Sequence, residues 1–214
     1  MAAKIAKTKQ TPMMAQYHRL KSDLPKGAVL LFRLGDFYEM FFDDAKVCAE
    51  ILNITLTQRG ATPMCGIPHH AAENYIGKLL AAGRKVAMCE QTEEAVPGKL
   101  VNREVTQILS PGTHFDEKML TAERNNFLAA LSREGKAFGL AVIDLTTGDF
   151  KATEMAGTAA LQTELERLKP SEIVHPEGDS SLVAAIAGSR AVINEHEGWV
   201  FASDSAGYTL RDHF

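Results

Sequence analysis

The chain holds 214 residues, 45% of them hydrophobic and 23% charged, a balance that supports a buried core and excludes fibrous and low-complexity classes. Its apolar runs are too short to cross a bilayer and its amino terminus lacks the apolar centre of a signal peptide, so no membrane partner is expected. The net charge of −4 hides an asymmetry: residues 1–115 carry 14 Lys and Arg against 11 Asp and Glu, and residues 116–214 carry 9 against 16, which points to two domains with different partners.

Residues 1–10, with Lys4, Lys7 and Lys9 and little to bury, read as a mobile basic tail able to add salt-sensitive attraction to an anion. A helix is expected next, with Thr11 as N-cap, Pro12 in its first turn and Pro25 beyond its end. Met13, Tyr17 and Leu20 give it a core stripe. Residues 28–34 (AVLLFRL) read as a buried strand, and then comes GDFYEMF (35–41). Gly35 and Asp36 are turn formers, and an extended chain after them puts Phe37 and Glu39 on one face and Tyr38 and Met40 on the other. A large ring and an acid then share one surface.

Asp43 or Asp44 is expected to cap a helix whose Val47, Cys48, Ile51 and Leu52 form one apolar face. ITLTQ (54–58) reads as a strand and RGATPMCGIPHH (59–70) as a loop punctuated by Gly and Pro. A helix follows, with Tyr75, Ile76, Leu79 and Leu80 on its stripe and Gly83 as its stop. KVAMCEQ (85–91) is a strand, EEAVPGK (93–99) a turn-rich excursion, and EVTQIL (104–109) a last strand. Strands alternating with helices imply α/β units around a mixed sheet, in a first domain spanning residues 11–115.

Residues 116–126 (DEKMLTAERNN) are polar and read as a linker. In the second domain, 127–214, FLAAL, FGLAVIDLTTGDFKATEM and EIVHP give strands, with TTGD as a hairpin turn. ALQTELERLK is a helix stopped by Pro170, and SLVAAIAG a second short one. Residues 191–201 read as one strand or a hairpin through Glu197-Gly198, and SAGYTLRDHF as neither a closing strand nor a capped helix. This domain is therefore expected to be incomplete at Phe214.

No GxxxxGK[ST], GxGxxG, GxSxG or HExxH motif occurs. Cys48, Cys65 and Cys89 lack metal spacing, and so odd and sparse a count suits a reducing cytoplasm. Cys65 with His69 and His70 falls short of a closed metal site, because neighbouring ligands rarely converge on one ion. Asp144 and Asp149 raise a different option, since an acid on a strand can hold Mg2+ for phosphodiester cleavage if several carboxylates converge. Asp149 serves turn geometry equally well. A binding module, a metal-dependent nuclease around Asp144 and an interaction scaffold without affinity for DNA all stand at this point.

TPMMAQYHRLK (11–21), LLFRLGDFYEMFFDDA (30–45), LTQRG (56–60), PMCGIPHHAAENYIGKLL (63–80), VAMCEQ (86–91) and REVTQILSPGT (103–113) resemble, in that order, the amino-terminal mismatch-recognition domain of the bacterial MutS family. Residues 127–214 resemble the first part of that family's connector domain. The resemblance implies an α/β fold of two domains, a mixed sheet flanked by helices and then a partial RNase H-like connector without nuclease activity. The family continues with a helical lever and clamp and an ABC-type ATPase that also forms the dimer. None of these is among the 214 residues, so the chain is expected to be a fragment with no catalytic residue, metal or cofactor of its own, ATP and Mg2+ belonging to the missing part. The implied partners are double-stranded DNA with mispaired or unpaired bases, a second copy as homodimer, and downstream repair proteins, in the bacterial cytoplasm.

The resemblance also makes Phe37 a wedge and Glu39 its hydrogen-bonding partner. An aromatic ring entering the minor groove unstacks a base step and kinks the duplex, which a mispaired step resists less. Glu39 accepts a hydrogen bond from a displaced base or, protonated, donates one, and it finds no partner on ordinary duplex. Arg33, Gln58, Arg59, Met64 and His70 are further candidates for DNA contact. Arg59, in a Gly-flanked loop, suits a phosphate, and Met64 the kinked step. The loop before PMCGIP, LTQRGAT, is short.

Overall fold

The computed structural model describes residues 11–93, 100–113 and 126–213. The basic tail, most of the EEAVPGK excursion and nearly all of the 116–126 linker lie outside the described residues. The chain divides into two compact units, Met1–Leu109 and Ser110–Phe214.

In the first unit, α1 (Pro12–Ser22), β1 (Val29–Leu34), β2 (Phe37–Phe41), α2 (Phe42–Leu52), β3 (Thr57–Arg59), β4 (Thr62–Pro68), α3 (Ala72–Ala81), β5 (Val86–Gln91) and β6 (Arg103–Leu109) follow in order. The strands form one mixed sheet, β3-β4-β2-β1-β5-β6. Only the β1–β5 pair is parallel. Alternation along the strands loads both faces. Val29, Leu31, Tyr38, Met40, Cys65 and Ile67 pack with Cys48, Leu52, Ile76 and Leu79 of α2 and α3. Leu30, Phe32, Phe41 and Cys89 pack on the other face with Tyr17 of α1. Tyr17 meets Phe32 and Phe41 edge to face, with centroids 5.6 and 5.2 Å apart.

The start of α1 matches its sequence signal, as Thr11 Oγ1 accepts from the Met14 amide. Gly83, at φ 77, donates to the Leu80 carbonyl and closes α3 as expected. Two expectations are corrected. Neither Asp43 nor Asp44 caps α2: β2 runs straight into it through Phe41, and both acids lie inside the first turn. Asp44 instead accepts from the Leu30 amide at 3.0 Å and from Lys21 Nζ at 2.7 Å, tying α2 to β1 and α1. Residues 59–70 are also not a loop. Gly60, at φ 64, opens a two-residue turn with Ala61, and Thr62–Pro68 returns as β4, paired with both β3 and β2. Pro63 is tolerated because the β2 partners end at Met64, and Pro68 because it ends the strand.

In the second unit, β7 (Phe127–Glu134), β8 (Ala137–Asp144), β9 (Asp149–Ala156), α4 (Thr158–Leu168), β10 (Glu172–Pro176), α5 (Ser180–Ile186), β11 (Val192–His196) and α6 (Ser203–His213) follow. The sheet order is β11-β10-β7-β8-β9. β7 to β9 form an antiparallel meander, and β10 and β11 run parallel beside it. This mixed sheet agrees with the expected RNase H-like connector. Phe127, Leu131, Leu140 and Val142 pack under Leu161, Leu165 and Leu182 of α4 and α5. Ser110–Thr113 belongs to this unit by packing, because the Gly112 amide donates to buried Glu172 Oε2 at 3.0 Å. Residues 191–201 are neither one strand nor a hairpin: β11 stops at His196 and Gly198–Phe201 makes a 3-10 turn. Residues 203–213 are helical, and α6 buries no residue, which is why no apolar stripe announced it.

Candidate nucleic-acid interface

The site rests on β2 and its neighbours. Leu34 pairs with Phe37, so Gly35 and Asp36 form a tight turn, with Gly35 at φ 59. That turn is braced from three sides. Arg33 Nε donates to the Gly35 carbonyl, the Gly35 amide donates to Gln91 Oε1 at 3.2 Å, and the His69 amide donates to the Asp36 carbonyl at 2.9 Å. Phe37 stands immediately after it, 48% exposed and without the ring contacts that hold Tyr17, Phe32 and Phe41.

Glu39 lies two residues on and projects from the same face, but only 7% of it is exposed. Its cross-strand partners are Phe32 and Gly66. Arg59 Nη2 donates to Glu39 Oε1 at 2.6 Å, while Oε2 is buried with no hydrogen-bond partner. Burial pushes the Glu39 carboxyl above the usual Glu range, and Arg59 opposes this only in part. Register places Arg59 opposite Thr62 at the far end of β4, so its side chain runs back along the sheet to reach the acid. Met64 shares that face and packs half-buried beside Phe41 and the α1 core.

The remaining candidates are placed elsewhere. Arg33 pairs with Tyr38 and so projects from the opposite face, its guanidinium 5.6 Å from the Tyr38 ring centroid and 3.4 Å from Glu90 Oε2. Tyr38 donates its hydroxyl to Glu90, and burial pushes that hydroxyl up to about 12, keeping it a donor at neutral pH. Gln58 is exposed on β3, on the other side from Arg59, and His70 is exposed on the short 3-10 turn after β4. Sequence reading placed Phe37 and Glu39 on one face and brought Arg59 and Met64 forward separately, and the sheet gathers all four on that face. It missed the braces Gln91 and His69 and the side-chain-free Gly66 beside Glu39, because pairing partners distant in sequence leave no periodic signal.

Asp144 ends β8, fully buried, with Oδ1 accepting from the Thr146 amide and hydroxyl at 2.9 and 2.7 Å. Burial pushes its carboxyl up, and hydrogen bonds led by the Thr146 hydroxyl more than offset that, holding it below the usual range. Asp149 pairs with Lys151. Among the described residues no three His, Cys, Asp or Glu side chains cluster as metal ligands. No described helix is long and apolar enough to cross a membrane.

The chain folds as two α/β units, one of them presenting an exposed ring beside a buried acid at a braced turn. Residues 11–118 match MutS domain I and residues 126–214 match MutS domain II, so the chain belongs to the MutS family. It is similar to the DNA mismatch repair protein MutS of Solibacter usitatus (strain Ellin6076), 46% identical over 212 residues, and to that of Myxococcus xanthus (strain DK1622), 46% identical over 215 residues. Each match covers 95% of this chain and 24% of the relative, so the chain spans about a quarter of the length of these relatives.

Proposed function

We propose that the first unit senses mismatched DNA, as part of DNA mismatch repair, by testing how easily a duplex deforms. The observation that carries this reading is Phe37, an unpaired exposed ring on a turn held by Arg33, Gln91 and His69, with buried Glu39 on the same face and one of its oxygens unpartnered. An ordinary solvent-facing Phe needs no brace, and a buried carboxylate oxygen without a partner is uncommon, Asp144 Oδ2 being the other instance among the described residues. Inserted from the minor groove, the ring contributes about 1–3 kcal/mol by stacking on a base. Unstacking a well-paired step costs about as much, so the balance turns favourable where pairing is already poor. Glu39 then gives its free oxygen to an exposed base donor. MutS family membership and the mismatch-repair relatives support the same direction.

In this reading the chain itself performs no catalysis and holds no cofactor. ATP and Mg2+ chemistry, the homodimer contact and the docking of repair proteins belong to the longer family protein, acting on DNA in the bacterial cytoplasm. The second unit serves as connector, with Asp144 holding the β8–β9 turn. The test is a low-salt titration of the 214-residue chain with a G·T duplex and its matched control. Preference for the mismatch, lost in Phe37→Ala, is expected. A folded Phe37→Ala protein with unchanged preference refutes the wedge. Equal binding of both duplexes by the unmodified chain refutes mismatch sensing in this chain.

A further inference from the structure

We infer that Arg59 sets the specificity of this site by exchanging partners: it holds Glu39 until a base supplies a hydrogen-bond donor, and then passes to a phosphate. The inference rests on the reading of Phe37 and Glu39 above. An uncompensated carboxylate facing DNA would repel every duplex. Arg59 Nη2, 2.6 Å from Glu39 Oε1, neutralises it from the last position of β3, beside the Gly60-Ala61 turn.

The two partners of this ion pair are unequal. The Arg59 side chain is 48% exposed and that of Glu39 only 9%. A guanidinium leaving the pair still has water around it and can take a phosphate oxygen, whose geometry suits its planar fork. A carboxylate that loses Arg59 stays buried and needs a new donor, all the more because Oε2 has none already. A matched duplex keeps its base donors in pairs, so on it the Glu39–Arg59 pair stays closed. A displaced or mispaired base presents a free N–H, the pair opens, and Arg59 reaches the backbone. The mismatch complex therefore carries one more cation–phosphate contact than the matched complex.

Salt dependence measures that difference. The logarithm of affinity falls against the logarithm of salt with a slope of about 0.9 per neutralised phosphate on duplex DNA. For the 214-residue chain, the slope on a G·T duplex is expected to exceed that on the matched control by about 0.9. Arg59→Gln brings the two slopes together at the shallower value. Glu39→Ala frees Arg59 on every duplex and brings them together at the steeper value. Arg59 ends the exposed β3 and Glu39 is buried on β2 between β1 and β4, and circular dichroism melts verify that each variant is folded. Equal slopes in the unmodified chain, with preference for the mismatch retained, overturn the exchange and leave the role of Phe37 standing. Absence of any preference in the unmodified chain overturns that role and the exchange with it.

Discussion

Truncating Phe37 and Phe41 to alanine, one at a time, separates recognition from folding within a single strand. Both rings project from the same face of β2, yet Phe41 is 0% exposed and Phe37 48%. Phe41 lies against Tyr17 and Phe32, and removal of such a core ring costs about 3–5 kcal/mol. That is a large share of the roughly 5–15 kcal/mol that holds a domain folded. Full burial of a Phe contributes about 1.5–3 kcal/mol, so half of it leaves at most about 1.5 kcal/mol to lose at Phe37. DNA binding has the reverse order. Stacking of about 1–3 kcal/mol per base, at about 1.4 kcal/mol per tenfold, predicts a loss of roughly 5- to 150-fold in affinity for a G·T duplex with Phe37→Ala. Affinity for the matched duplex should hardly move. Urea unfolding and fluorescence titration measure the two effects. A Phe37→Ala protein destabilised as much as Phe41→Ala refutes the argument, because the ring would then be core.

Three further outcomes follow from the geometry. Burial raises the folded-state value of Glu39 above its unfolded one, so the folded state binds this proton more tightly, and stability falls as pH rises from about 4.3 through the folded value. Glu39→Gln removes that cost, so its advantage in Tm over the unmodified chain should grow from acid to neutral pH; a constant gap contradicts this. Asp44→Ala leaves the buried Leu30 amide without its acceptor and Lys21 without its carboxylate partner, the Ala28 carbonyl remaining to it, and should cost about 1–3 kcal/mol in urea unfolding, with Asp44→Asn costing less. A Cβ at Gly112 would meet Glu172 Cβ at 2.9 Å and Leu128 Cδ1 at 3.2 Å, so Gly112→Ala should destabilise the second unit by about 1–3 kcal/mol. Hydrogen exchange of β10 should accelerate in that variant while β1 is unchanged.

Local signals carried much of this fold. Thr11 and Pro12 start α1, Gly83 stops α3, and the apolar runs AVLLFRL and FLAAL mark buried strands, because capping, φ > 0 and local apolar content depend on residues near in sequence. Period 2 placed Phe37 and Glu39 on one face before any tertiary contact was known. It could not tell which of them is buried, since that depends on Arg59, Gly66 and Phe32 arriving from other strands. Asp44 is a good helix cap by composition, but β2 leads into α2 without a loop, and the acid serves Leu30 and Lys21 instead. The Gly and Pro of residues 59–70 read as loop until β2 and β3 offered Thr62–Pro68 a ladder on each side. Sequence by itself determined most of the elements, β4 and α6 excepted, and the facing of the Phe37–Glu39 pair. Only the tertiary structure decided the pairing of Arg59 with Glu39, because residues twenty positions apart meet through strand order, which no local propensity encodes.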